Sequence, residues 1–188
     1  MILEGIVTTI SPTGDVHIAP MGPRVDADMR RFLLRPFNTA QTYHNLRRHG
    51  EGVLHVTDDV LLLARAALGQ LVALPPLMPA RAIRGWVMRD ACRAYEFRVV
   101  SIDDREERVS IECAVVYHGT LREFFGFNRA KHAVIEAAIL ATRTDFLPLE
   151  EIEADFRNLA IIVQKTGGEQ EKAAFEFLCE HLARVKHA

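Results

Sequence analysis

Two stretches in the middle of the chain alternate side-chain character with period two, and no other feature limits the fold more tightly. Tyr95, Phe97 and Val99 alternate with Ala94, Glu96 and Arg98. Val109, Ile111, Cys113 and Val115 alternate with Ser110, Glu112 and Ala114. A charged turn region, Ser101 to Glu107, separates them. Two strands of this length, joined by a polar turn, predict an antiparallel hairpin that suits a barrel wall.

The first half adds shorter strands. Ile2 to Ile10 is rich in β-branched residues and stops at Ser11-Pro12-Thr13-Gly14-Asp15, and Val16 to Ala19 follows as the second arm of a hairpin. Met21-Gly22-Pro23 breaks that arm, and Arg31 to Arg35 is a third strand ended by Pro36. Thr39 is placed to cap a helix carrying Ala40, Tyr43 and Leu46 as far as Gly50. In the next strand, Gly52 to Thr57, Val53, His55 and Thr57 share one face. Asp58-Asp59 caps a second helix, which Gly69 ends.

The last third is helical. Val134, Ile135, Ala138 and Ile139 form one stripe. Ile152, Phe156, Leu159, Ala160 and Val163 form a second behind Pro148, read as a first helical residue, and Gly167-Gly168 ends it. Ala173, Ala174, Phe177, Leu178, Leu182 and Val185 form a third. Strands first and helices last imply an α+β protein. These helices either pack beside the strands or take part in a subunit contact.

Composition narrows the function classes. A net charge of -2 gives no basic footprint for nucleic acid and no cationic face for a membrane. Cys92, Cys113 and Cys179 are far apart and contain no CxxC pair, which points to reduced thiols rather than a disulfide scaffold or zinc site. The N-terminus turns polar too soon for a signal peptide, so a cytoplasmic protein is expected. The most apolar run, Leu61 to Pro79, is interrupted by Arg65, Gln70 and Pro75-Pro76, which is not a membrane span. There is no phosphate loop, GxGxxG, GxSxG or HExxH motif. His132 and Glu136 lie one helical turn apart, a spacing common on solvated helix faces. No metal site is expected.

One series of segments points further. Ala19-Pro20-Met21-Gly22, then Asn38-Thr39-Ala40-Gln41-Thr42-Tyr43-His44-Asn45, then Val53-Leu54-His55-Val56-Thr57-Asp58 follow one another in order. The series resembles the flavin-reductase-like, FMN-binding split-barrel superfamily, with its "-APM-" turn, its "-S/T-x-T-Y-x-N-" helix start and its "-F-V-V-N-V-" strand. Arg35-Pro36-Phe37-Asn38-Thr39, Gly126 to Lys131 and Glu136 to Arg143 are similar to a domain-of-unknown-function branch of it. The resemblance spans most of residues 1–145. It implies a split β-barrel with a C-terminal helical extension. The expected boundaries are a flavin-binding domain over 1–130 and helices over 131–188 packed on the same domain.

The resemblance also implies an FMN site. Its phosphate requires charge-assisted donors, and Arg35, Asn38, Thr39 and Thr42 supply them at a strand-to-helix junction. Thr39 as a plain cap and Arg35 as a solvated strand residue is the other reading. The ring requires a flat apolar slot with backbone groups at its edge, which the Ala19, Pro20, Met21, Gly22 turn suits, although Met21 equally suits a core. His55, Val56 and Thr57 belong to the adjacent strand, and His55 also reads as a hydrogen-bonded barrel histidine. Asn128 and Arg129 precede a helix and carry donors for an anion, or start that helix in solvent. Phe124, Phe125 and Phe127 read as core or interface residues.

By resemblance, the chain is an FMN-dependent oxidoreductase acting as a homodimer. Its flavin lies at the subunit interface, with NAD(P)H or a small organic molecule as reaction partner. At His55 it carries histidine where flavin reductases usually carry asparagine. Flavin binding and hydride transfer are therefore separate expectations. A non-catalytic flavin- or haem-binding module and a structural barrel that has lost its cofactor fit the same residues. No catalytic acid or base stands out.

Overall fold

The computed structural model describes residues 1–186; the last two residues of the expected 131–188 helical segment lie outside the described residues. The chain forms two compact units, one of residues 1–57 and 73–124, the other of residues 58–72 and 125 onward.

The first unit contains strands β1 (Gly5–Ile10), β2 (Val16–Met21), β3 (Arg24–Val25), β4 (Arg31–Leu34), β5 (Glu51–Val56), β6 (Leu77–Pro79), β7 (Trp86–Met88), β8 (Arg93–Asp103) and β9 (Ser110–Thr120), with helix α1 (Gln41–His49). Seven strands form one antiparallel sheet in the order β2-β1-β5-β8-β9-β4-β3, and β6 and β7 pair separately. The β8–β9 hairpin is the predicted one, but β8 runs on to Asp103, through residues expected in the turn. Register shifts at Glu96/Phe97 and Val99/Ser101 bend it, as bulges in curled sheets do.

The sheet curls until its ends meet. Met21 pairs with Gly5 in the β1–β2 hairpin, and Ile2 bridges Arg24 in the same antiparallel register. Leu3 N–H donates to Pro23 O at 3.1 Å and Val25 N–H to Met1 O at 2.9 Å. Residues 1–10 and 16–25 are thus two long arms, and the second is interrupted only at Gly22-Pro23. Ala19 to Met21 therefore lies inside a strand rather than in the strand-ending turn expected from the sequence. Pro20 is tolerated there because β2 is a sheet edge, where a missing N–H breaks no ladder bond. The hairpin turn needs Gly14, at φ 94°, in a region that side chains disfavour.

Val7, Leu54, Phe97, Leu34 and Ile111 fill the interior, each fully buried, with the Phe32 and Phe97 rings edge-to-face at 5.1 Å. Tyr43 and Leu46 of α1 join that core. The start of α1 corrects the sequence reading: Ala40 is the cap residue and no side chain caps it, so Thr39 is exposed and is not the N-cap. Its other end follows expectation, with Gly50 at φ 69° donating its N–H to Leu46 O.

The second unit contains α2 (Val60–Ala67), α3 (Arg129–Ala141), α4 (Leu149–Thr166) and α5 (Glu169–Lys186). Asp59 Oδ1 accepts from Leu62 N–H at 2.9 Å, the expected cap. Pro148, expected as the first helical residue of α4, sits at its cap, and the helix begins at Leu149. Lys131 joins three helix starts: its Nζ reaches Asp58 O at 2.6 Å and Glu171 Oε1 at 2.8 Å. Phe125 and Phe127 are exposed and lie in no core. No helix among the described residues is long and apolar enough to cross a membrane.

Candidate functional site

The barrel wall opens at one place. Arg24 pairs with Leu33 and Val25 with Phe32. Continuing that register would set Gly22 against Arg35 and Pro20 against Phe37. Instead, residues 35–38 stay with the β9 side. Val109 N–H donates to Pro36 O at 3.0 Å, Phe37 bridges Arg108, and Asn38 N–H donates to Glu107 O at 2.8 Å. The split therefore has Ala19 to Gly22 on one bank and Arg35 to Asn38 on the other. Helix α1 touches both sides: Tyr43 donates to Asp104 Oδ2 at 2.8 Å, and Asn45 Nδ2 donates to Thr9 Oγ1 at 2.9 Å.

Strand alternation sorts these residues by face. Met21 and Val56 pack against the interior core, so Pro20 and Gly22 face outward. Leu34 is interior, so Arg35 is outward. Of the phosphate candidates, Asn38 and Thr39 are exposed, while Thr42 is buried in the first turn of α1.

The Arg35 bank is densely charged. A polar cleft of about 500 Å³ is lined by Arg35, Asp103, Arg105, Glu106, Arg108 and Ser110. Arg35 Nη2 is 3.7 Å from Glu106 Oε2 and 3.4 Å from Arg108 O. Its Nε is buried and has no hydrogen-bond partner among the described residues. The Arg108 guanidinium lies 3.7 Å from the Phe37 ring centroid and donates to Arg35 O at 3.1 Å. Arg105 grips both carboxylate oxygens of Asp103, and this hydrogen bonding holds the Asp103 pKa down at about 2.

His55 is placed differently. The register sets Pro20, Ile6, His55 and Ala94 side by side across four strands. His55 points to the outer face but is fully buried there. Its Nε2 accepts from Met88 N–H at 3.0 Å and its Nδ1 lies 3.2 Å from Ile6 O. Both nitrogens are engaged by backbone, and burial lowers its pKa to about 4. Thr57 follows β5 and is half-buried.

In the helical unit Asn128 caps α3. Its Oδ1 accepts from the N–H groups of Ala130 at 2.8 Å and Lys131 at 3.1 Å, and its Nδ2 donates to Thr166 O at 3.1 Å. Arg129 is exposed. His132 and Glu136 stand 4.0 Å apart on an exposed face of α3.

Sequence reasoning missed Arg105 and Arg108. Both sit beside or within a charged segment that reads as a solvated turn. The only local signal was the outward position of Arg108, one residue before Val109.

The family model described as "Protein of unknown function (DUF447) N-terminal domain" matches residues 3–122, and "Protein of unknown function (DUF447)" matches residues 128–180. No curated protein matches the chain. An FMN-bound protein of Methanosarcina mazei that carries the DUF447 family model superposes with a TM-score of 0.82 at 22% identity, over 96% of this chain and 94% of that one. The flavin reductase of styrene monooxygenase from Pseudomonas putida gives 0.52 at 14% identity, over 65% of this chain and 82% of that one. Flavoredoxin from Methanosarcina acetivorans gives 0.54 at 11% identity, over 63% and 68%. At these identities the likeness is one of fold: a curled antiparallel split barrel of the flavin-reductase-like kind, followed by C-terminal helices.

Proposed function

The chain belongs to the DUF447 family, and from that premise we propose that it binds FMN and acts as a flavin-dependent oxidoreductase. The observation that carries the reading is the end-to-end match, over 96% of this chain, to an FMN-bound protein with the same family model.

The residues present suit the group. Arg35 offers a buried, unpartnered Nε–H, the kind of donor an anion satisfies. Asn38 and Thr39 are exposed beside it, and Thr42 stands at the start of α1. These residues hold the phosphate. Ala19 to Gly22 on the facing bank receive the ring, with Pro20 and Gly22 outward and Met21 committed to the core. His55 positions strands rather than reaching the ligand, since both its nitrogens are occupied. When bound, FMN supplies hydride and electron transfer. The protein holds it and excludes water from one side of it.

A homodimer fits the same reading. Phe37, Val100 and Val116 are exposed apolar residues of the barrel unit, the kind of surface that a second copy would cover.

The test is spectroscopic. The purified protein should carry, or take up from added FMN, a bound visible flavin spectrum, and NAD(P)H should bleach it anaerobically. A bound flavin that NAD(P)H never reduces removes nicotinamide-dependent reduction and leaves the binding. A protein that stays colourless in excess FMN removes the whole reading.

A further inference from the structure

We infer that the tip of the β8–β9 hairpin completes a subsite selective for a phosphate monoester dianion, with Arg108 joining Arg35 as the second cation and Glu106 acting as an internal competitor that the phosphate displaces. The inference rests on the FMN reading above and assigns to it residues that the sequence did not suggest.

The charges in the cleft are three arginines against two carboxylates. Arg105 and Asp103 cancel, because their two-point hydrogen bonding commits each to the other. That pair lies within the loop and fixes its shape. Arg35, Arg108 and Glu106 remain. Glu106 is held weakly: its side chain is 81% exposed and its ion pair among the described residues, to Arg35 Nη2, spans 3.7 Å. Exposed pairs of that kind contribute little. When Glu106 swings into solvent, two guanidinium groups remain, and they match the charge of a phosphate monoester near neutral pH.

Both cations are pre-oriented, which limits the entropy lost on binding. Arg108 is stacked on Phe37 and tied to Arg35 O, so its plane is set before any ligand arrives. Arg35 points its unpartnered Nε–H into a buried position, and its Nη2 bond to Arg108 O is long, at 3.4 Å. A planar guanidinium presents paired donors that match phosphate oxygens, whereas a lysine there would offer only a point charge. A flavin lacking its phosphate gains nothing from this cleft.

The experiment compares FMN with riboflavin by flavin fluorescence titration of the full chain, as wild type, Arg108→Ala and Glu106→Gln. Arg108→Ala should weaken FMN roughly 10- to 100-fold, the scale of a lost charge-assisted contact, and leave riboflavin unchanged. Glu106→Gln, a change at an exposed side chain, should tighten FMN several-fold and leave riboflavin unchanged. Inorganic phosphate should compete with FMN but not with riboflavin. Equal losses for both flavins in Arg108→Ala, or unchanged FMN affinity in both variants, overturn the inference while leaving flavin binding intact. Failure of the wild-type chain to bind either flavin overturns the FMN reading and this inference with it.

Discussion

The Nε2 of His55 accepts a hydrogen bond from the backbone N–H of Met88 at 3.0 Å, and through it the barrel wall holds the strand lying over its outer face. Nδ1 faces Ile6 O at 3.2 Å, so the ring proton sits on Nδ1 and the lone pair on Nε2. Other outward side chains do the same work. Thr8 Oγ1 donates to Trp86 O at 2.6 Å, and the buried Glu96 carboxylate accepts from Arg81 N–H at 2.7 Å and Ala82 N–H at 2.6 Å. The 80–88 segment has little regular structure of its own, so its backbone groups are satisfied by the sheet beneath.

His55 makes stability depend on pH. Its folded pKa of about 4 lies below the ordinary value of 6.5 because burial disfavours the charged ring. The unfolded chain therefore binds a proton that the folded chain refuses. The His55 contribution is complete above pH 6.5 and declines as pH falls toward 4. Urea unfolding should show a loss of ~2 kcal/mol between pH 7 and pH 5. The slope should be shallower in His55→Gln, which should also be less stable at pH 7.

Glu96→Ala removes the buried carboxylate that accepts from both Arg81 N–H and Ala82 N–H. The expected destabilisation is about 2–4 kcal/mol, with new protease cleavage between residues 73 and 92. Cleavage elsewhere in the barrel unit, with residues 73–92 still protected, would contradict the role assigned to Glu96.

The barrel was legible where strand period and turn chemistry agree. The alternation from Tyr95 to Val115 announces β8 and β9, and Ser11 to Asp15 announces the first hairpin. The Ala19 to Gly22 and Arg35 to Thr42 runs were legible as motifs, though not as two banks of one split, because that relation depends on where the β3–β4 ladder ends. β3, β6 and β7 were invisible: they are two or three residues long, too short to show a period. His55 and Glu96 as straps were equally hidden, since their partners are backbone groups 33 and 14–15 residues away. Thr39 misled as a cap because the helix starts at Gln41, after a turn in which Ala40 N–H donates to Phe37 O at 3.0 Å.

Gly5 lies beside the His55 backbone, one residue before the β1–β5 ladder begins. A Cβ there would sit 2.5 Å from the main-chain oxygen of His55, which cannot rotate away. Gly5→Ala should cost ~1–3 kcal/mol by forcing the strands apart, measured as a lowered urea midpoint. An unchanged midpoint would show that the wall yields freely at this point.

Lys131 and Glu171 pair at 2.8 Å in the helical unit, and both are largely buried. Burial pushes the Glu171 carboxyl up, but the hydrogen bonds from Lys131 and Gly168 N–H and the Lys131 charge outweigh it, so the net shift is downward. The pair's contribution is therefore present above the ordinary carboxylate range and lost as pH falls through the lowered value. Glu171→Gln should unfold more easily at pH 7, by about 1–3 kcal/mol, and the gap from wild type should close in acid. A gap of the same size at low pH would mean that packing, not charge, sets the effect.

FMN binding is the central claim, and a fluorescence titration of the full chain tests it most directly. Saturable uptake of one FMN per chain is predicted, weakened by ~1.5–3 kcal/mol in Arg35→Ala. An unquenched flavin signal at every protein concentration, or binding that Arg35→Ala leaves untouched, would contradict an FMN site at Arg35.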